Sequence, residues 1–254
     1  MNKIKILFFY FFCIQIAVNA QDYPQGYFRS PLDIPIFLSG NFGEIRSNHF
    51  HAGLDMKTES VEGKNIYAVA DGYVSRIKIG QGGYGKALYV THPNGYTSVY
   101  AHLQSYEGEI GEYVLKAQYK KESYEIELFP GKNALLITKG DVIALSGNSG
   151  GSGGPHLHFE LRETDTETPV NPLLFGFDIK DDIKPTIKKI GIYPVPGKGS
   201  ANGSDNPKLI ELSGGNGVYK LGTLKMSGQI AMGLEVLDKL NGSSNRCGVY
   251  SIEL

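Results

Sequence analysis

The chain has 254 residues, of which 41% are apolar and 20% charged, a balance that supports one or two packed domains and excludes a disordered polymer as the default. A formal net charge of -1 argues against a protein that grips nucleic acid by neutralising phosphates. Two cysteines are too few for a disulfide framework or a four-cysteine zinc site.

Residues 1–20 read as a signal peptide. Lys3 and Lys5 open it, Ile6 to Val18 form an apolar run broken by Gln15, and Val18-Asn19-Ala20 is a small-residue cleavage site. The run is short for a membrane span. Cys13 lacks the small residues that precede a lipidated cysteine. The expectation is export to the periplasm or cell surface, with no stable membrane span after cleavage. Cys247 then remains as the single cysteine, expected as a buried thiol.

Glycine is abundant, 33 residues with 16 Tyr and 12 Phe and no Gly-X-Y period, which predicts short strands joined by tight turns. Ile66 to Ile79 is rich in strand formers, with Asp71-Gly72 as a turn or bulge. Lys86 to His92 and Tyr96 to His102 flank His92-Pro93-Asn94-Gly95 and read as a hairpin. Tyr106 to Lys121 carries Ile110, Tyr113, Val114 and Ala117 at helical spacing. It predicts a short helical insertion within residues 104–140. Val142 to Leu145 and Leu157 to Leu161 read as further strands.

From Asp182 the texture changes. Lys184-Pro185 and Pro194-Val195-Pro196-Gly197 punctuate the chain, and Ser200 to Asn206 is a polar loop. Ile190 to Pro194, Val218 to Leu221 and Gly248 to Leu254 read as strands. The last would carry an apolar face of Tyr250, Ile252 and Leu254 with nothing after it to cover it. A fragment of a longer chain and a strand that pairs back both stay open. All six histidines precede residue 181, so residues 21–180 are expected to hold the chemistry. Residues 185–254 are expected to form a small β-rich region, immunoglobulin-like or incomplete, that the chemistry does not need.

Two clusters carry that chemistry. One is His51-Ala52-Gly53-Leu54-Asp55. The other is His156-Leu157-His158, which follows the glycine-rich run Gly147 to Pro155. Alternate residues of a strand share a face, so His156 and His158 should point into one cleft. Two imidazoles and a carboxylate suit zinc and leave a fourth position for water, the catalytic pattern rather than the structural one. His49 competes through His49-Phe50-His51. His92 reads as an exposed loop histidine, Tyr100 as a packing strand residue rather than an oxyanion donor, and Lys120-Lys121 as a solvated face.

Six segments resemble the lysostaphin-type (LytM-like) zinc peptidases in order: Phe50 to Asp55, Tyr67 to Gly72, Gly82 to Gly85, Tyr100 to Leu103, Lys139 to Ala144 and Gly154 to Glu160. The resemblance spans roughly residues 35–175. It implies a mostly β, antiparallel sheet-groove domain that cuts peptide cross-links of bacterial peptidoglycan. It implies zinc ligands at His51, Asp55 and His158, with His102 and His156 flanking the attacking water and the oxyanion. A non-catalytic cell-wall-binding or regulatory module of the same fold is the alternative, and a structural zinc domain a third. The long stretch between His102 and Asp141, including Gln118 to Ser123, departs from compact members and bears on substrate preference. A protein activator is left open.

Overall fold

The computed structural model describes residues 22–253; the expected signal peptide lies outside the described residues. In chain order the strands are β1 (Leu38–Gly40), β2 (Leu54–Lys57), β3 (Asn65–Tyr67), β4 (Gly72–Ile79), β5 (Lys86–Thr91), β6 (Tyr96–Ala101) and β7 (Ser105–Tyr106). Helix α1 (Gly108–Lys121) follows, then β8 (Ile126–Leu128), β9 (Leu136–Ile137), β10 (Val142–Leu145), β11 (His156–Glu163) and β12 (Pro169–Val170). The C-terminal part holds β13 (Thr186–Ala201), β14 (Lys208–Glu211), β15 (Ser213–Gly215), β16 (Val218–Lys220) and β17 (Met226–Leu237).

A nine-stranded sheet in the order β1-β2-β11-β6-β5-β4-β8 organises the first part, with β12 on β11 and β9 on β4. Its pairings are antiparallel. The expected hairpin is β5–β6, with Leu88 opposite Tyr100 and Val90 opposite Ser98. Period-two alternation sorts the side chains. Leu157, Phe159 and Leu161 of β11 and Leu54 and Met56 of β2 are fully buried on the core side. Each such aliphatic or aromatic side chain contributes roughly 1.5–3 kcal/mol through burial. The intervening Asp55, His156, His158, Glu160 and Arg162 therefore share the opposite face. Small and aromatic residues, Ala87, Tyr89, Val99 and Ala101, with Tyr84 against them, form a separate cluster on that groove face.

Helix α1 forms where the sequence predicts it and buries Ile110 and Val114, four residues apart. Tyr113, expected on the same stripe, is exposed. Its C-terminus ends at Glu122 in the left-handed region, whose N–H bonds to the Gln118 and Tyr119 carbonyls. Lys120 and Lys121 stand exposed in the last turn, where cations favour the helix dipole.

His92 corrects one expectation. It is 3% exposed, not a loop histidine in solvent. Its Nδ1 lies 2.8 Å from the Asp71 carbonyl and its Nε2 2.8 Å from Ser98 Oγ. The ring ties the hairpin turn to the neighbouring strand, and burial lowers its pKa. Tyr100 is fully buried, and its hydroxyl accepts from the Val69 N–H at 3.1 Å and from Ser98 Oγ at 3.1 Å, so it packs and braces the core as expected.

In the C-terminal part, β14-β13-β17 form one sheet and β15-β16 a hairpin. These are five strands among the described residues, fewer than the roughly seven of an immunoglobulin sandwich. Gly248 to Glu253 form no strand, and Tyr250 and Ile252 are exposed: no neighbouring strand offers them a ladder. The chain instead returns to the first part just before this point. Asp238 and Cys247 pair through backbone hydrogen bonds of 3.0 and 2.9 Å, and Leu240 and Cys247 join the main core. The Cys247 thiol is buried, which pushes its pKa up to about 11. Among the described residues no helix is long and apolar enough to cross a membrane.

Candidate metal centre

Asp55 on β2 stands directly opposite His158 on β11. His51 precedes β2, and Gly53 lets the chain approach β11 at this point. A Cβ on Gly53 would lie 2.3 Å from the Phe159 carbonyl oxygen. The result is a triangle of donor atoms. His51 Nε2, Asp55 Oδ1 and His158 Nδ1 are each 3.0 Å from the other two. All three residues are buried. Tetrahedral zinc at about 2.0–2.1 Å from its ligands sets donor separations near 3.4 Å, so the triangle is within a few tenths of an ångström of the size zinc needs. The donor set fits the ion.

The outward atoms of these three side chains are also held. His51 Nδ1 donates to the Asn41 carbonyl at 2.8 Å. His158 Nε2 donates to Glu160 Oε1 at 2.8 Å. Asp55 Oδ2 accepts from Arg46 at 2.9 Å. Such contacts fix the tautomer that turns a lone pair into the triangle, as they do around metal ligands. Glu160, fully buried, is held in turn by Arg162 Nε at 2.6 Å and by the Tyr84 hydroxyl.

The electrostatics follow. Burial opposes a charged Asp55, yet the imidazoles of His156, His158 and His51 that surround it hold its carboxyl far below the usual carboxylate range. Burial opposes a charged Glu160 too, but His158 and Arg162 bring its pKa down to about 2. His158, despite burial, is raised to about 9 by Asp55 and Glu160. The pocket is thus built to stabilise positive charge, carried by a proton on His158 in the metal-free protein.

His102 and His156 stand beside the triangle, with ring centroids 4.7 Å apart. His102 closes β6 with φ 59°, a left-handed conformation unusual outside glycine and found at functional sites. Its Nδ1 donates to the Ser149 carbonyl at 2.8 Å. His156 Nδ1 donates to the Gly154 carbonyl at 2.8 Å, and its Nε2 lies 3.5 Å from Asp55 Oδ1. Burial lowers the His102 pKa to about 4, leaving it neutral at physiological pH. The loop that supplies these carbonyls is glycine-rich for a reason. Gly150 has φ 73° and no room for a side chain, since a Cβ would meet the Gly85 nitrogen at 2.3 Å. Gly151 N–H bonds to the Gly83 carbonyl at 2.8 Å, which joins the two loops that wall the cleft.

The cleft has a volume of about 330 Å³, and Arg46, His49, Tyr84 and Ser152 line it with the five residues above. His49 is exposed and bonded to Asn48 Oδ1 at 2.6 Å; it stays outside the donor triangle. The structure brings together all five residues that the sequence singled out. Sequence reasoning missed Glu160, Arg162, Tyr84, Arg46 and Asn41. Glu160 had a signal, because it is the next residue on the same face of β11 as His156 and His158. The others meet the site only through the fold.

The fold and its donor triangle define an antiparallel β-sheet domain with a candidate metal centre in its groove. Residues 49–119 match the model of peptidase family M23. The chain is similar to the DD-carboxypeptidase/endopeptidase Mpg of Neisseria meningitidis serogroup B, at 32% identity over 123 residues, 48% of this chain and 22% of that protein. It is also similar to an uncharacterized metalloprotease of Haemophilus influenzae, at 30% identity over 170 residues, 62% of this chain and 30% of that protein. The match thus spans less than a third of either curated relative. Among solved structures, the catalytic domain of the prophage-encoded M23 protein EnpA from Enterococcus faecalis aligns with TM-score 0.42 and 21% identity, covering 61% of this chain and 98% of that one. The catalytic domain of lysostaphin from Staphylococcus simulans aligns with TM-score 0.39 and 20% identity, covering 54% and 86%.

Proposed function

We propose that the protein is an exported zinc endopeptidase that hydrolyses peptide cross-links of bacterial peptidoglycan. The observation that carries this reading is the 3.0 Å triangle of His51 Nε2, Asp55 Oδ1 and His158 Nδ1, flanked by His102 and His156. The family match and the name of the Neisseria relative support the choice of a peptide substrate in the wall.

His51, Asp55 and His158 would hold the zinc, and the bound ion would acidify water and polarise the scissile carbonyl. His102, neutral and with Nδ1 committed to the Ser149 carbonyl, offers Nε2 to take a proton from the attacking water. Water oxygen bonds to the carbonyl carbon as the carbon–nitrogen bond breaks, and His102 passes the proton to the departing amine. His156, anchored through Nδ1 to Gly154, would steady the oxyanion through Nε2–H when its ring carries a proton on both nitrogens.

The alternative is a wall-binding or regulatory module that cuts nothing. Retention of all five residues in one cleft weighs against it. Zinc content and hydrolysis of purified peptidoglycan, compared between the wild type and His158→Ala, test the proposal. The proposal expects close to one zinc per chain and soluble wall fragments from the wild type, and neither from the variant. Zinc without hydrolysis would favour the module.

A further inference from the structure

We infer that the segment Leu240–Gly248, beyond the last strand, is part of the metal centre: the Gly248 backbone clamps Asn41 and Glu44, and through them sets the positions of His51 and Asp55. The inference rests on the metal reading of the site and adds positioning residues to it. Asn41, Glu44 and Gly248 all lie outside residues 49–119, which the family model matches.

The clamp has two points. Asn41 Nδ2 donates to the Gly248 carbonyl at 2.6 Å, and Gly248 N–H donates back to Asn41 Oδ1 at 3.0 Å. The same N–H lies 3.0 Å from Glu44 Oε1. From this point two chains of contact lead to the donor triangle. In the first, the main-chain carbonyl of Asn41 receives the His51 Nδ1 proton at 2.8 Å, which leaves His51 Nε2 unprotonated and aimed at Asp55 and His158. In the second, Glu44 Oε2 pairs with Arg46 at 2.9 Å, and Arg46 pairs with Asp55 Oδ2 at 2.9 Å. Arg46 is 36% exposed, so solvent weakens the second route and the first carries more.

Backbone bonds complete the loop between them. Gly43 N–H bonds to the His51 carbonyl and His51 N–H to the Glu44 carbonyl, both at 2.8 Å. The clamping segment is itself fixed. Ser243 Oγ donates to the Leu38 carbonyl at 2.8 Å, and Leu240 and Cys247 are buried in the main core. Position 248 is crowded against its partners. A Cβ there would meet Glu44 Cγ at 3.1 Å and Asn41 Oδ1 at 3.4 Å, so a branched side chain would wedge the clamp apart. This runs against the sequence expectation that residues 185–254 are dispensable for the chemistry.

The test uses the full chain. Gly248→Val and Asn41→Ala are each expected to weaken zinc binding about 10- to 100-fold, the range seen when a partner that orients a metal ligand is lost. The visible spectrum of the cobalt-substituted protein should change with them. Asn202→Ala, which removes the 2.9 Å bond from the Lys225 N–H in the C-terminal part and lies outside the clamp, should leave zinc affinity within about threefold of wild type and the cobalt spectrum unchanged. If Gly248→Val does not fold, Asn41→Ala decides. Wild-type zinc affinity and cobalt spectrum in Asn41→Ala and any folded Gly248→Val would overturn the clamp and leave the metal reading intact. An equal loss in Asn202→Ala would also overturn it, because the effect would then be general loosening. A wild type that takes up no zinc would instead remove the metal reading, and the clamp with it.

Discussion

Glu160 accepts a 2.8 Å hydrogen bond from His158 Nε2, two residues away on the same face of β11. A buried carboxylate thereby turns His158 Nδ1 toward Asp55 and His51. Glu160→Gln should lower zinc affinity about 10- to 100-fold. It also leaves Arg162 without its buried carboxylate, so stability should fall by about 3 kcal/mol, the lower end for breaking a buried pair. Chemical unfolding and a chelator competition check both, and an unchanged zinc constant would remove Glu160 from the metal's support.

His102→Ala should keep zinc and fold but lose turnover by roughly two to four orders of magnitude, the range for a general acid–base group. Its Nδ1 is committed to Ser149 and it sits outside the donor triangle. Metal content measured beside single-turnover rates decides. Loss of the metal would make His102 a ligand and displace one of the three.

Zinc affinity should depend on pH with a definite sign. In the metal-free protein burial opposes a charged His158, but Asp55 and Glu160 raise its pKa from 6.5 to about 9. Zinc takes the neutral imidazole, so binding must expel a proton below that value. Affinity should climb about tenfold per pH unit up to about pH 9 and then level. The raised pKa acts on metal-free stability in the opposite direction. Its contribution is fully present below pH 6.5 and is lost as the pH rises through about 9. Calorimetry in buffers of differing ionisation enthalpy reads the proton release. An affinity that stays flat across this window would contradict the assignment of His158.

Phe159 is fully buried beneath the site and packs against Tyr100 at 5.5 Å between ring centroids. Phe159→Ala should cost about 3–5 kcal/mol and loosen the strand that carries both His158 and Glu160. A loss under about 1 kcal/mol would mean that β11 is not the keel of this sheet.

The two clusters were legible because their information is local: His156 and His158 alternate on one strand, and His51 and Asp55 straddle Gly53. Which of the histidines form the donor triangle came from the resemblance to the lysostaphin-type peptidases, since spacing alone does not separate His158 from His156. The β5–β6 hairpin and α1 were also legible locally, through the turn at Asn94-Gly95 and the pairing of Ile110 with Val114. His92 was misread because its partners, the Asp71 carbonyl and Ser98, come from the preceding strand connection and from across the hairpin. The stretch after Gly248 was misread because alternation marks a strand only where a neighbour supplies the ladder. The Asn41–Gly248 pair spans 207 residues, and nothing in either local sequence announces the other.

The central claim is that this cleft, loaded with zinc, cuts wall peptides. The muropeptide profile of purified peptidoglycan after incubation with the wild-type protein tests it most directly, once with zinc and once with a chelator. The account predicts that cross-linked dimers fall and peptide-cleaved fragments appear with zinc, and that the chelator abolishes both effects. A profile identical to undigested wall, from protein verified to carry one zinc per chain, would contradict it.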